Sequence, residues 1–330
     1  MIAWPRGRRD ETLIARRRLL AILAALAAVA VVLAITDGLV DLAQATVNGV
    51  VAGNYYALGA VGLTLIFGVL RLVNFAHGEF LTLGAYVMVL FSSFDLPLVL
   101  AAVLGVVAVA VFSVGLELAV WKPVRRRGVG ELQLLLFALG LAFFMRNAIA
   151  FVAGPQDRQT DADVTTAWHL GDVIVGRTEL IVTVLGIIVI VLVAVALKAT
   201  SLGKQARALS DSIQLAETTG IDTDRIVVIT WAVSGGLAGL AGIFYALPSG
   251  TVTPNLGYSL ILSIFAAVVV GGIGNAYGAL AGGMLIGLTQ EWATLVIEPS
   301  VKVAVGFAML ILVLLVRPEG LFGAARTVDR

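Results

Sequence analysis

KATSLGKQARALSDSIQLAETTGIDTDR, Lys198 to Arg225, is a run of 28 polar-rich residues caught between two long apolar stretches, 179–197 and 226–247. The upstream stretch, ELIVTVLGIIVIVLVAVAL, carries one charge at its first residue and then none. It is close to the ~20 apolar residues that a helix needs to cross a bilayer. A polar loop held between two such segments is an internal loop of a membrane protein. The rest of the chain bears this reading out in composition. Hydrophobic residues are 60% of the 330, charged residues 13%, and mean hydropathy is +1.02. Soluble domains are about half apolar and a quarter charged. A membrane barrel is excluded because its strands alternate apolar and polar residues over ~10 positions, and these runs are continuous.

Apolar segments fall at 19–36, 43–70, 80–94, 97–120, 131–153, 179–197, 226–247, 259–275, 277–297 and 301–316. The short one at 80–94 and the glycine-broken pair at 259–297 read as candidates for half-helices or re-entrant pieces. The expected fold is therefore an all-α polytopic membrane protein of eight to ten transmembrane helices. Residues 19–316 form the membrane domain, with a basic tail at 1–18 and a second tail at 317–330. The arginines ahead of Leu19 resemble a signal peptide, but no small-x-small cleavage site precedes Thr36 and Asp37, so 19–35 is read as the first span.

Lysine and arginine in short flanking loops set orientation. With the N-terminus inside, eighteen of the 22 basic residues fall on the cytoplasmic side and three (Arg158, Arg177 and Lys302) outside. Both termini and the Lys198–Arg225 loop are then cytoplasmic, and the threonine-rich loop at 155–178 is external. Arg146, within a span, is expected to snorkel toward the outer interface.

Three features carry candidate chemistry. Arg71, Asn74, His77, Glu79 and Thr82 punctuate two apolar runs, with Gly78 among them. They read either as a wet cytoplasmic turn or as a pathway or gate, because ionisable groups at membrane depth usually face a cavity or partner. Gly274, Gly278 and Gly282 recur every four residues, the spacing that lets helix backbones approach in lipid. In the polar loop, Ala206, Leu209, Ile213 and Ala216 make one apolar face of a weakly amphipathic helix over 206–219, with Gly220 as its stop. Such a helix can lie on the lipid surface, dock in the groove of a partner or serve as a solvated connector, and its few cations and small apolar residues favour docking.

What is missing narrows the classes. With no cysteine there is no thiol chemistry or Cys-based metal site. His77 and His169 stand on opposite sides of the expected bilayer, so no metal site is expected and no enzyme constellation is visible. No nucleotide loop exists either: Gly203-Lys204 has Lys198 where the first glycine must be and Gln205 after it, and the GGIGNAYG stretch lacks the spacing of a dinucleotide loop. A stand-alone secondary transporter would need ionisable residues buried mid-span, and the spans are nearly charge-free.

GLTLIFGVLRLVNFAHGEFLTLGAY (Gly62–Tyr86), SLGKQARALSDSIQLAETTGIDTDR (Ser201–Arg225), AAVVVGGIGNAYGALAGGMLIGL (Ala266–Leu288) and ILVLLVRPEGLFG (Ile311–Gly323) resemble, in order, the landmarks of branched-chain amino acid ABC transporter permeases of the LivH/LivM type, the LivH branch in particular. The resemblance implies the permease subunit of an ATP-driven importer in the bacterial inner membrane. Its cargo would be leucine, isoleucine or valine, with urea or short amides as the alternative. It implies two ATPase subunits that bind ATP and magnesium, a second permease subunit (LivM-like or another copy) and an external solute-binding protein, besides membrane lipid. No cofactor is expected in this chain, and no nucleic-acid partner. It also implies that Leu209, Ile213, Ala216, Glu217 and Gly220 belong to the coupling helix seated in the ATPase, with Thr218 and Thr219 standing where alanines are usual.

Overall fold

The computed structural model describes residues 28–36, 38–317 and 319–322. Residues 28–36 are helical, and the start of the first span, the basic tail and residues 323–330 lie outside the described residues. Eleven further helices follow: α1 Leu39–Leu70, α2 His77–Ser92, α3 Leu98–Arg126, α4 Glu131–Ala153, α5 Arg177–Ala199, α6 Ser201–Asp211, α7 Ile213–Thr218, α8 Thr223–Ser249, α9 Leu256–Gly271, α10 Ala276–Ala293 and α11 Lys302–Val316. Six elements of the described chain are long and apolar enough to cross a membrane: α1, α3, α4, α5, α8 and the segment Pro299–Val316 that contains α11. The remaining long helices, α2, α9 and α10, lie buried among them. The chain is a multi-pass, all-α membrane protein. Its only strands among the described residues are two small ribbons, β1 (Arg158–Gln159) with β4 (Thr251–Val252) and the hairpin β2 (Ala167–Leu170) with β3 (Val173–Gly176).

The division between core and periphery follows residue size. In α1, α2, α8 and α10 the glycines face glycine or alanine on a neighbouring helix, so helices meet backbone to backbone. A Cβ placed on Gly283 would lie 2.5 Å from Ala57 Cα, and one on Gly84 would lie 2.5 Å from Gly239 Cα. Where lipid removes the apolar driving force, such close approach supplies the dispersion energy of association. Helices α4, α5 and the Pro299–Val316 segment are rich in large side chains and mostly unburied, as lipid-facing helices are. Asn54 ties α5 to the core by donating from Nδ2 to the Val182 carbonyl at 3.0 Å.

The glycine stripe needs one correction. Gly278 and Gly282 lie on α10 against the backbone of α9 at Gly271 and Ala267, but Gly274 is not helical. It occupies the turn between α9 and α10 with φ +86 and nothing near its Cα substituent position. A left-handed turn needs a residue without Cβ, so the third member of the spacing serves the turn and not the packing. The described C-terminal segment closes this turn from below. Leu321 and Phe322 donate their N–H groups to the Val270 and Gly271 carbonyls at 2.8 and 3.1 Å, satisfying acceptors that a helix end leaves free.

Candidate functional site: a re-entrant polar segment and an inner ledge

Helix α1 ends at Leu70, and Arg71 adopts a left-handed conformation (φ 53) that reverses the chain. His77 opens α2, yet its Nε2 donates to the carbonyl of Gly59 at 3.0 Å. Gly59 stands about 16 Å up α1 from Leu70, taking a 1.5 Å rise per residue. Residues 71–76 therefore climb back along α1, a distance within the ~20 Å that six extended residues can cover. Helix α2 begins at the mid-depth of the bundle and runs only 16 residues outward. This is a re-entrant half-helix, and it explains the shortness of the 80–94 segment.

The wet-turn reading of the polar island is thereby overturned. Asn74 and His77 are 0% exposed and Glu79 3%. Asn74 shapes the entry, its Oδ1 accepting from Ala76 N–H at 3.1 Å and its carbonyl from His77 N–H at 3.2 Å, the local turn that asparagine favours. Gly78 packs against the start of α9, where a Cβ would sit 2.8 Å from the Gly257 carbonyl oxygen. Thr82 joins the two helix starts: its hydroxyl donates to Glu79 Oε2 at 3.4 Å and accepts from Gly257 N–H at 2.9 Å. Glu79 has no cationic partner within ion-pair distance among the described residues. A buried carboxylate so lightly held is costly to keep at this depth.

Arg146 turns toward an aromatic ring. Its guanidinium lies over the Tyr258 ring, 4.4 Å from the centroid, and Tyr258 is the second residue after Leu256 at the start of α9. A second intramembrane acid, Glu117, is buried on a π-helical turn of α3 (Glu117–Trp121) and pairs with Arg125. The sequence offered a sign of that pair in the eight-residue spacing of opposite charges, which only a helix continuous through the π turn could join.

At the end of the bundle that carries the 198–225 loop, the expected single helix over 206–219 is two. Ser212 is extended (φ −159, ψ 115) and breaks it into α6 and α7, each with its own cap: Thr200 Oγ1 accepts from Gly203 N–H at 3.1 Å, and Ser212 Oγ from Leu215 N–H at 3.3 Å. Side-chain competition by serine is the physical reason. Gly220 (φ +81) ends α7, with Ile221 N–H on the Ala216 carbonyl and Gly220 N–H on that of Glu217, at 3.2 and 3.0 Å, the Schellman arrangement. The break also divides the apolar face. Leu209 and Ala216 turn into this chain's own core, whereas Ile213 is 40% exposed and Leu215, which helical spacing did not single out, is 68% exposed. Glu217 accepts from the Thr223 hydroxyl at 3.2 Å, fastening α7 to the base of α8. Beside α6, a cavity of about 330 Å³ is lined by residues of α1, α6 and the α9–α10 turn.

At the opposite end of the bundle, Thr160 N–H donates to the Gly250 carbonyl at 2.9 Å, and Ser92 binds Asp161, so the 155–178 loop is strapped over the ends of α2 and α8. Within it the Asp163 carboxylate is held well below its ordinary range by hydrogen bonds from Thr166 and Thr165.

A bundle with lipid-type outer helices, a re-entrant polar segment at mid-depth and a capped inner ledge defines a multi-pass membrane protein of the transport class. The chain belongs to the family described as branched-chain amino acid transport system / permease component, which it matches over residues 45–314. It is 28% identical over 294 residues to the high-affinity branched-chain amino acid transport system permease protein LivH of Escherichia coli, covering 85% of this chain and 95% of that one. The permease protein BraD of Pseudomonas aeruginosa is similar to the same extent, and the probable branched-chain amino acid transport permease protein LivH of Methanocaldococcus jannaschii is 27% identical over 84% of this chain and 91% of its own length. No solved structure matches the chain.

Proposed function

We propose that this chain is the membrane-spanning subunit of an ATP-driven importer that moves branched-chain amino acids inward across a bacterial inner membrane. The observation that carries the reading is the pairing of a buried re-entrant polar segment with an exposed apolar ledge, Ile213 and Leu215, on two capped helices. The ledge is short, rigidly tied to α5 and α8, and suited to a groove on a partner. Two ATPase subunits, which would hold the ATP and magnesium, sit against this ledge in the proposal. A second permease subunit completes the pathway, and an external solute-binding protein delivers cargo. Both termini are cytoplasmic in this arrangement, which the distribution of basic residues favours.

Closure of the ATPase pair would push α6 and α7 together with α8, to which Glu217 links them. Lys122 on α3 binds Asp224 at the foot of α8 at 2.7 Å, so α3 would follow. Rocking of these helices against the α1–α10 core would open mid-depth alternately to either side. The test is leucine uptake into proteoliposomes holding the assembled subunits. Uptake is expected only with external binding protein and internal ATP, and uptake by this chain alone contradicts the proposal. Replacing Glu217 and Gly220 together is expected to uncouple ATP hydrolysis from uptake while leaving insertion normal.

A further inference from the structure

Arg146 has an unusual environment for a cation on a lipid-facing helix. Only Ala138 and Met145 of α4 are buried, and Arg146 itself is half-buried, with its guanidinium turned inward onto the half-exposed Tyr258. A guanidinium has five N–H donors. Among the described residues, no carboxylate lies within ion-pairing distance of it. The aromatic face satisfies its charge in part and leaves the donors directed at whatever fills the space before it.

The acid buried beside this site is Glu79, which forms no ion pair with Arg146. Both belong to the same neighbourhood. Tyr258 follows Gly257, whose N–H binds Thr82, and Thr82 in turn binds Glu79. A cation and an anion held apart in this neighbourhood, neither with an ion-pair partner, form a poor structural pair, because an unneutralised charge in this setting is expensive. They form a good receptor for a molecule that carries both charges. One turn further along α2 from Glu79, Leu83 enters the lining of a cavity of about 640 Å³ between α2, α3 and α4, together with Tyr86, Phe112, Met145 and Ile149. This is within the range of small-molecule sites, and its walls are mostly apolar, with Ser93 and Arg158 the polar members of the lining.

We propose that Arg146, Tyr258 and Glu79 bracket a zwitterionic α-amino acid in transit. The Arg146 guanidinium receives the carboxylate, Glu79 the ammonium, and the neighbouring cavity the branched aliphatic side chain. This assignment rests on the transport reading above and adds to it the residues that recognise the cargo's backbone. The site selects zwitterions over acids or amines of the same shape, since each of those leaves one member of the bracket unpaired.

The experiment uses the complete transporter in proteoliposomes, with L-leucine as probe. Arg146→Gln and Glu79→Gln should each lower the maximal uptake rate about tenfold or more. The leucine concentration giving half-maximal uptake should stay where it is, because capture outside is the binding protein's task. Arg146→Lys should recover part of the rate. A second measurement, the thermal melting of the purified chain in nanodiscs without binding protein, separates recognition from folding. Millimolar L-leucine should raise the wild-type midpoint while leucinamide and 4-methylpentanoate do not, and Arg146→Gln should melt like wild type yet lose the leucine response. Wild-type rates in Arg146→Gln, or an equal thermal response to all three probes, overturn the bracket and leave the transport reading standing. Failure of the wild-type transporter to take up leucine overturns both.

Discussion

The two polar segments, 71–82 and 198–225, are alike in sequence: each interrupts long apolar runs and mixes charged residues with glycine. They end in opposite places. The first is folded back into the bundle, with Asn74, His77, Glu79 and Thr82 all buried, while most of the second stays at the surface with Leu215 and Glu217 exposed. The difference lies in the helix before each. Helix α1 ends in a left-handed Arg71 that turns the chain back along α1, where Gly62 leaves room for the His77 ring and the Gly59 carbonyl accepts its hydrogen bond. Helix α5 ends in an extended Thr200 that caps the next helix and carries the chain away. Polarity alone does not say whether a loop is wet. The glycines on the neighbouring helix do.

Substitutions can break this contrast, and their effects on stability should fall in order. Gly78→Leu should be the most damaging, costing about 3 kcal/mol through overpacking against Gly257 and Ile261, read as loss of detergent-stable protein. Thr82→Val keeps the volume but strands the Gly257 N–H, and should cost about 2 kcal/mol in reversible denaturation. In the surface segment, Ser212→Ala removes only a cap. It should cost about 1 kcal/mol, seen as faster hydrogen exchange confined to residues 213–218. Leu215→Glu, at a 68% exposed position, should leave stability within about 0.5 kcal/mol of wild type and yet reduce coupled uptake. If Leu215→Glu destabilises as strongly as Thr82→Val, the ledge is interior and the contrast fails.

The smallest effect concerns pH at the external strap. Hydrogen bonds from Thr166 and Thr165 depress the folded Asp163 carboxylate relative to 3.8, its ordinary value. Its contribution is therefore fully present above that value and is lost only as pH falls through the depressed one. Limited proteolysis of the 155–178 loop should be flat between about pH 5 and pH 8, and rise only in stronger acid. An onset near neutral pH would show that another group controls the strap.

Much of this was legible in the sequence. The boundaries of α4, α5 and α8 follow to within three residues from runs of large apolar residues, and the stop at Gly220 from its place after a periodic pattern, whereas α3 runs past its apolar stretch to Arg126. The polar loop between α5 and α8 was equally plain. What periodicity could not supply was the break at Ser212, because a 3.6-residue pattern runs through a serine without registering that its hydroxyl will cap a new helix. It consequently placed Leu209 and Ala216 on the outer face and passed over Leu215. Depth was likewise invisible. Nothing local distinguishes a turn at the membrane surface from one climbing back beside Gly59, since that depends on a contact between residues 18 apart. Arg146 stood out as a lone cation, but its partner Tyr258 lies on α9, far along the chain.

The natural absence of cysteine makes the central contrast open to direct measurement. Single cysteines at Asn74, Glu79, Leu215 and Thr218 can be titrated with a membrane-impermeant maleimide in inside-out vesicles. The account predicts rapid labelling at 215 and 218 and protection at 74 and 79 in the resting transporter. Labelling of 74 and 79 at the rate of 215 would contradict it, by placing the polar island in the cytoplasm after all.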